Sequence, residues 1–186
     1  MRALLDRLYA VSGGIAASCI VAICVVVMAQ VMLNLADRIA AAFFGGAIGL
    51  TIPSYSDFTG FFLAAASFLA LAYTFRAGGH IRVTLVIGLL PEGVQRWVEI
   101  GCVAIAAAVG VFATWYAVAL THESFVYNDL SSGMVAVPIW IPQAAMTGGL
   151  IVLSIALIDD LICQLAGKPA SYAGKGEGLL EAAGGE

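Results

Sequence analysis

Four stretches of this sequence are each long enough and apolar enough to cross a lipid bilayer as a helix. A helix rises about 1.5 Å per residue, so about 20 apolar residues cover a hydrocarbon core of roughly 30 Å. The first stretch covers residues 13–33, with no charge and Gln30 as its one strongly polar side chain. The second covers residues 58–75, between Asp57 and Arg76. The third covers residues 100–120, and the fourth residues 139–158, just before Asp159 and Asp160. Transmembrane strands are shorter and alternate in polarity. These runs are apolar on every face and rich in Ala, Leu and Gly. A soluble fold is excluded by composition. The 186 residues are 62% hydrophobic and 11% charged, whereas soluble domains run near half apolar and about a quarter charged. A chain this short has too much exterior to hide that excess from water. The sequence predicts an all-α integral membrane protein with four transmembrane helices, forming one membrane domain over residues 1–167.

A fifth apolar stretch, residues 39–52, is short for a span, contains Gly45, Gly46 and Gly49, and ends at Pro53. It is expected to continue the first helix beyond the bilayer or to form a membrane-hugging loop. Charge sets the orientation, because Lys and Arg collect on the cytoplasmic side. With four spans, Arg2, Arg7, Arg76, Arg82, Arg96, Lys168 and Lys175 share one side and only Arg38 falls on the other. Both termini are therefore predicted to be cytoplasmic. The apolar run near the N-terminus is too long for a signal-peptide core and is expected to be an uncleaved first helix. Residues 168–186, rich in Gly, Ala and Glu, are expected to be a disordered cytoplasmic tail. The net charge of −4, without a basic run, points away from nucleic acid.

Ionisable groups deep in a membrane are costly and usually functional. None lies near the centre of any of these spans. Glu99 opens the third span, three residues after Arg96 on the same helix face, and reads as an interfacial ion pair or a subunit contact. His80 and His122 fall at opposite membrane faces and cannot share a haem iron. Cys19, Cys24, Cys102 and Cys163 form no CxxC and read as small apolar filler. No phosphate-binding loop or catalytic triad is legible. The expectation is a protein that is not an enzyme and holds no cofactor and no metal. Ala106, Gly110 and Gly149 are small residues that let helices approach in lipid, whether within the chain or against a second subunit. Trp115 and Tyr116 fit an aromatic belt at the outer end of the third span, and Trp97 one at the inner face.

Several connections carry local signals. Ser54 and Asp57 have the spacing of a capping box before the second span. Pro138 and Pro142 bracket the start of the fourth, where proline is tolerated. Phe75–Val83 reads FRAGGHIRV, with Arg76, His80 and Arg82 suited to lipid headgroups. A turn at Gly78 and Gly79 leads into a short interfacial segment over residues 81–90, ending at Pro91.

Taken in order, these residues resemble the small permease subunit (DctQ-like) of tripartite ATP-independent periplasmic (TRAP) transporters. The resemblance rests on Gln30, on the run Arg76-Ala77-Gly78-Gly79-His80-Ile81-Arg82-Val83, and on Leu90-Pro91 leading to Trp97 and Glu99. It continues in Ser131, Ser132 and Gly133, then in Pro138, Trp140, Ile141, Pro142 and Gln143, and covers the chain to about Gly167. The family usually has a short loop after the first span and a Trp with acidic residues opening the second. Here the loop is long, and Pro53-Ser54-Tyr55-Ser56-Asp57 takes that place. The resemblance implies a subunit that packs beside a large TRAP permease subunit, among membrane lipids. That complex imports, with sodium, a small solute such as an organic acid delivered by a periplasmic solute-binding protein. Arg76, Gly78, Gly79, His80, Arg82, Trp97, Glu99, Pro138, Trp140, Pro142 and Gln143 become candidates for a subunit or headgroup interface. Asp57 becomes a candidate for periplasmic docking. Two other readings remain: a stand-alone oligomeric small transporter or channel, and a membrane anchor subunit of an electron-transfer complex.

Overall fold

A computed structural model describes residues 2–44, 46, 49–77 and 91–167. The Gly78–Arg82 run, the expected interfacial segment at 81–90 and the tail at 168–186 lie outside the described residues. Four helices follow one another: α1 (Arg2–Phe44), α2 (Tyr55–Arg76), α3 (Glu92–Val126) and α4 (Trp140–Leu165). All four are long and apolar enough to cross a membrane. Among the described residues there is no strand, only one isolated bridge between Leu130 and Pro138.

Proline and glycine set the helix ends. Pro91 stands at the N-cap of α3 with φ −56° and ψ 143°, an extended geometry that hands over to a helix. Pro142 lies in the first turn of α4, where a missing N–H costs nothing. The apolar stretch at 39–52 divides. Its first part continues α1 to Phe44, and residues 49–52 come back as irregular chain. Buried Gln30 pins that return: its Oε1 accepts the Ile52 N–H at 2.8 Å, and its Nε2 donates to Thr51 Oγ1 at 3.1 Å and to Asn34 Oδ1 at 3.0 Å. Gly49, at φ +77°, donates its N–H to Asp37 Oδ1 at 2.8 Å. A side chain would strain that turn.

The helices lie in a row, in the order α1–α2–α4–α3, with only slight contact between α1 and α4. The cause can be read on α4. Successive residues turn by about 100°, so Thr147 and Ser154 share one face while Gly149 and Ala156 lie on the opposite face. Thr147 Oγ1 meets Thr121 Oγ1 and Ser154 Oγ meets Thr114 Oγ1, both at 2.9 Å, fastening α4 to α3. Gly110 completes that seam, where an added Cβ would stand 3.3 Å from both Ser154 Oγ and Leu157 Cδ1. On the other face, a Cβ at Gly149 would stand 2.5 Å from the backbone carbonyl of Phe68. α2 and α1 then join through Ser12, whose Oγ donates to the Leu69 carbonyl at 2.6 Å, and through Gly13 against the Tyr73 ring. Small residues and hydroxyls at the seams suit a bilayer, where apolar burial gives helices no reason to associate. Ala106, unlike Gly110 and Gly149, faces outward.

The α2–α4 seam is testable at adjacent glycines. Gly149→Leu should lower the thermal midpoint of the detergent-solubilised protein, with an overpacking cost of about 1–3 kcal/mol. Gly148→Leu, where an added Cβ meets nothing within 4 Å, should leave it unchanged. Equal midpoints for the two variants would remove the seam from the account.

Candidate functional site

Polar side chains collect at the two ends of the row. At one end Arg76, the last residue of α2, pairs with Asp6 of α1 (Nη2 to Oδ1, 2.6 Å) and with Asp159 of α4 (Nη1 to Oδ2, 3.5 Å). Its guanidinium carbon sits 5.5 Å from the centroid of the Tyr9 ring. Arginine suits this position because its fork addresses two carboxylates while its plane lies over an aromatic face. The Arg76 side chain is 17% exposed and Asp159 24%, whereas Asp6 is 53% exposed. Solvent screens the Asp6 pair more, in spite of its shorter distance. Tyr9 is fully buried, and its hydroxyl has no hydrogen-bond partner among the described residues. One residue on, Asp160 is also fully buried, and its Oδ2 accepts from Gln164 Nε2 at 2.8 Å. Arg96 of α3 reaches the Gln164 carbonyl at 3.4 Å. This end therefore connects all four helices.

At the other end, the link between α3 and α4 folds onto the start of α2. Ser131 holds the link: its N–H donates to the Val137 carbonyl at 2.8 Å, and its Oγ accepts from the Val137 N–H at 3.0 Å. Gly133 lies against the Asp57 carboxylate and Ser54 Oγ, so closely that a Cβ would collide with Asp57. The capping box expected at Ser54 and Asp57 does not form. Ser54 has a left-handed backbone (φ 55°, ψ 25°) and makes no side-chain cap. Its Oγ instead accepts the Val135 N–H at 2.9 Å, and its carbonyl accepts the Asp57 and Phe58 N–H groups. A long-range partner has displaced the local one.

The candidate interface residues thus divide between the ends. Arg76 is enclosed in its ion pairs, while Trp97 is 72% exposed and Glu99 half-buried near the start of α3. Pro138, Trp140, Pro142, Gln143 and Asp57 gather at the opposite end. Trp140 packs edge-to-face on Phe125 at 5.5 Å between centroids, and the Gln143 N–H donates to the Ile139 carbonyl at 3.3 Å. Gln143 Oε1 is buried with no partner among the described residues. Trp115 and Tyr116 do not mark the end of α3, which runs eleven residues past Trp115 to Val126. A groove of about 440 Å³ between α3 and α4 is lined by His122, Thr121, Thr147, Phe125 and Trp140, among others. Among the described residues no group of His, Cys, Asp and Glu is placed to hold a metal. Sequence reading passed over Asp6, Tyr9 and the pairing role of Asp159. Two aspartates at the end of an apolar run were the available signal.

A family model for the DctQ component of tripartite ATP-independent periplasmic transporters matches residues 23–167. The chain belongs to the DctQ family. It is therefore a transporter component rather than a member of an enzyme family, and a multi-pass membrane protein. Neither a curated protein nor a solved structure matches it. Within the DctQ match, Gln30, Ser131 and Gly133 do structural work: Gln30 holds the return after α1, and the other two seat the α3–α4 link on α2.

Removing the Arg76 cation should matter more than removing its exposed partner. Arg76→Ala is expected to cost about 2 kcal/mol of stability, in the range of hydrogen bonds to charged groups. Asp6→Asn should cost less than half of that, because its exposed pair is screened. The Arg76→Ala/Asp159→Asn double variant should be less destabilised than the two single effects added. Chemical denaturation in detergent, followed by tryptophan fluorescence, measures all three. Full additivity would mean that Arg76 and Asp159 do not act together.

Proposed function

We propose that this DctQ chain is the small scaffold subunit of a TRAP importer. It packs beside a large permease subunit that takes up a small solute, such as an organic acid, in exchange for the energy of a sodium gradient. The observation that carries the reading is where the polar groups lie. The charged side chains of the described residues sit at the ends of the row, and the hydroxyls between α3 and α4 bond to one another. Among the described residues no ionisable side chain lies near the centre of the apolar runs, which supports placing the solute path in another subunit. A row of helices also leaves two broad apolar faces, which suits a protein that widens the membrane footprint of a partner.

In this reading the Arg76 end is cytoplasmic, supported by the seven basic residues that fall on that side. The Asp57 end then faces the periplasm. Asp57 and the adjacent Ser131–Val137 link, which leaves Met134 85% exposed, form a surface against which a periplasmic solute-binding protein can dock. Gly78, Gly79, His80 and Arg82 would lie at the inner headgroups.

Co-purification from native membranes tests the assignment. A large multi-span subunit should accompany the chain, and deletion of the chain should abolish solute uptake by whole cells. Uptake that survives deletion, with no such partner recovered, would reject it. Flux through liposomes containing this chain alone would favour the stand-alone transporter. For orientation, a cysteine introduced as Arg82→Cys should react with an impermeant maleimide only when the cytoplasmic face is opened.

A further inference from the structure

The four helices do not agree on where the middle of the membrane is. Each has a long run without a formal charge: Leu8–Ala36 on α1, Phe58–Phe75 on α2, Ile100–His122 on α3 and Trp140–Ile158 on α4. Their midpoints fall at Ala22, between Ala66 and Ser67, at Val111 and at Gly149. The contacts between helices show which residues are level with one another. Gly149 touches Phe68 and Leu69, about two residues past the α2 midpoint, so that midpoint lies about 3 Å from the level of Gly149, toward the Asp57 end. Ser12 bonds to Leu69 and Gly13 lies against Tyr73, contacts that together put about Ile15 of α1 at the level of Gly149. Ala22 is seven residues further, displaced about 10 Å toward the Asp57 end. On α3, the pairs Thr121–Thr147 and Thr114–Ser154 put Ala119 level with Gly149. Val111 is eight residues from there, displaced about 12 Å toward the Arg76 end.

The two helices at the ends of the row are thus displaced by nearly equal amounts in opposite directions. That pattern is a rotation of the whole row. A partner that covered only the far end of α1 would leave α3 in step with its neighbours. We infer that the row sits in the bilayer tilted along its own plane, by roughly 35–40°. The angle follows from a total offset of about 20 Å across three helix spacings of 8–10 Å each, and it lies at the steep end of known helix tilts.

Exposed side chains at two opposite corners agree. Beyond the level of Asp57, α1 exposes Val25, Met28, Val31, Met32 and Leu35. Beyond Arg76 and Asp159, at the other end of the row, Ile105 of α3 and Ile162 and Leu165 of α4 are each at least 59% exposed. There Asp159 turns to Arg76 and Asp160 is buried, so α4 carries its charges inward and its apolar residues outward. In an upright row these corners would lie at or beyond the edge of the hydrocarbon core. Tilting brings both into lipid. Trp97, 72% exposed, is level with the headgroups if Val111 is at the midplane. In an upright row it would lie about 30 Å from the midplane, well past the headgroup region. The inference depends neither on the partner nor on which face is cytoplasmic.

Depth-dependent fluorescence quenching decides between the two placements. The full chain, with Cys19, Cys24, Cys102 and Cys163 each replaced by Ala, takes an environment-sensitive fluorophore at Val11→Cys, Val25→Cys, Val109→Cys or Leu120→Cys. All four positions are more than half exposed. Each labelled protein is reconstituted in phosphatidylcholine vesicles with a spin label at the acyl-chain end or on the headgroup. In the tilted row, Val25 and Val109 are deep, and their ratio of chain-end to headgroup quenching should exceed that of Val11 and Leu120 at least twofold. An upright row reverses both pairs. Reversal of either pair overturns the inference, as does a probe quenched by neither lipid, which would put protein on that face. Polarised infrared spectroscopy of the unmodified chain in oriented bilayers provides a check without variants. It should return a mean helix tilt above 30°, and a value below 20° would overturn the inference.

Discussion

The row depends on the contact between Gly149 and the backbone at Phe68. In lipid, two apolar helices gain little by touching, because acyl chains cover them equally well. Association has to come from backbones brought close enough for many dispersion contacts, or from hydrogen bonds between side chains. Gly149 supplies the first kind between α2 and α4, and the Thr and Ser pairs supply the second between α4 and α3. α4 holds both kinds on opposite faces, and accordingly 33% of its most apolar window is buried against 11% for α1. Were the two faces at right angles, the same contacts would draw the helices into a closed bundle.

The ends of the row answer a different requirement. A charge on a transmembrane helix is tolerable where it can reach headgroups or an opposite charge. Arg76 does this by joining three helices, and because it is mostly buried its pairs depend on geometry. The opposite end is held differently. Backbone groups are satisfied there by Gln30, Ser54 and Ser131. One end is tied by charge and the other by amide and hydroxyl bonds, so salt acts on them unequally. Screening weakens the exposed Asp6 pair first.

What could be read in the sequence follows the range of each interaction. A transmembrane helix is a local property of about 20 residues, so the four helices were legible from hydropathy alone. Helix ends were less so. α1 outlasts its apolar core because Asp37 and Arg38 do not break a helix, and it runs on to Phe44. The Ser54–Asp57 spacing is a local signal that was overridden by Val135, far along the chain. Arg76 was singled out for its charge, but its partners lie 70 and 83 residues away, and no local pattern names them. Ser131 and Gly133 were noticed as a motif without a reason. The reason is spatial: the link must lie flat against Asp57.

The order of the row is in principle legible in the sequence. Gly110 and Gly149 were read as small residues at helical spacing, which identifies a seam but not its neighbour. The direction of a seam emerges only when the small residues are placed on the helix together with the hydroxyls. On α4 the two sets fall on opposite faces, and opposite faces permit two neighbours and no closure. α1 and α3 are then left at the ends, each with one main neighbour and a large surface facing outward. The groups that hold the row together are used within it, at its seams and its two ends. Its broad outer surfaces are left mainly to side chains such as Val21, Val25, Ile105 and Phe112. Such a surface can be recognised by shape and by depth in the bilayer, but hardly by charge.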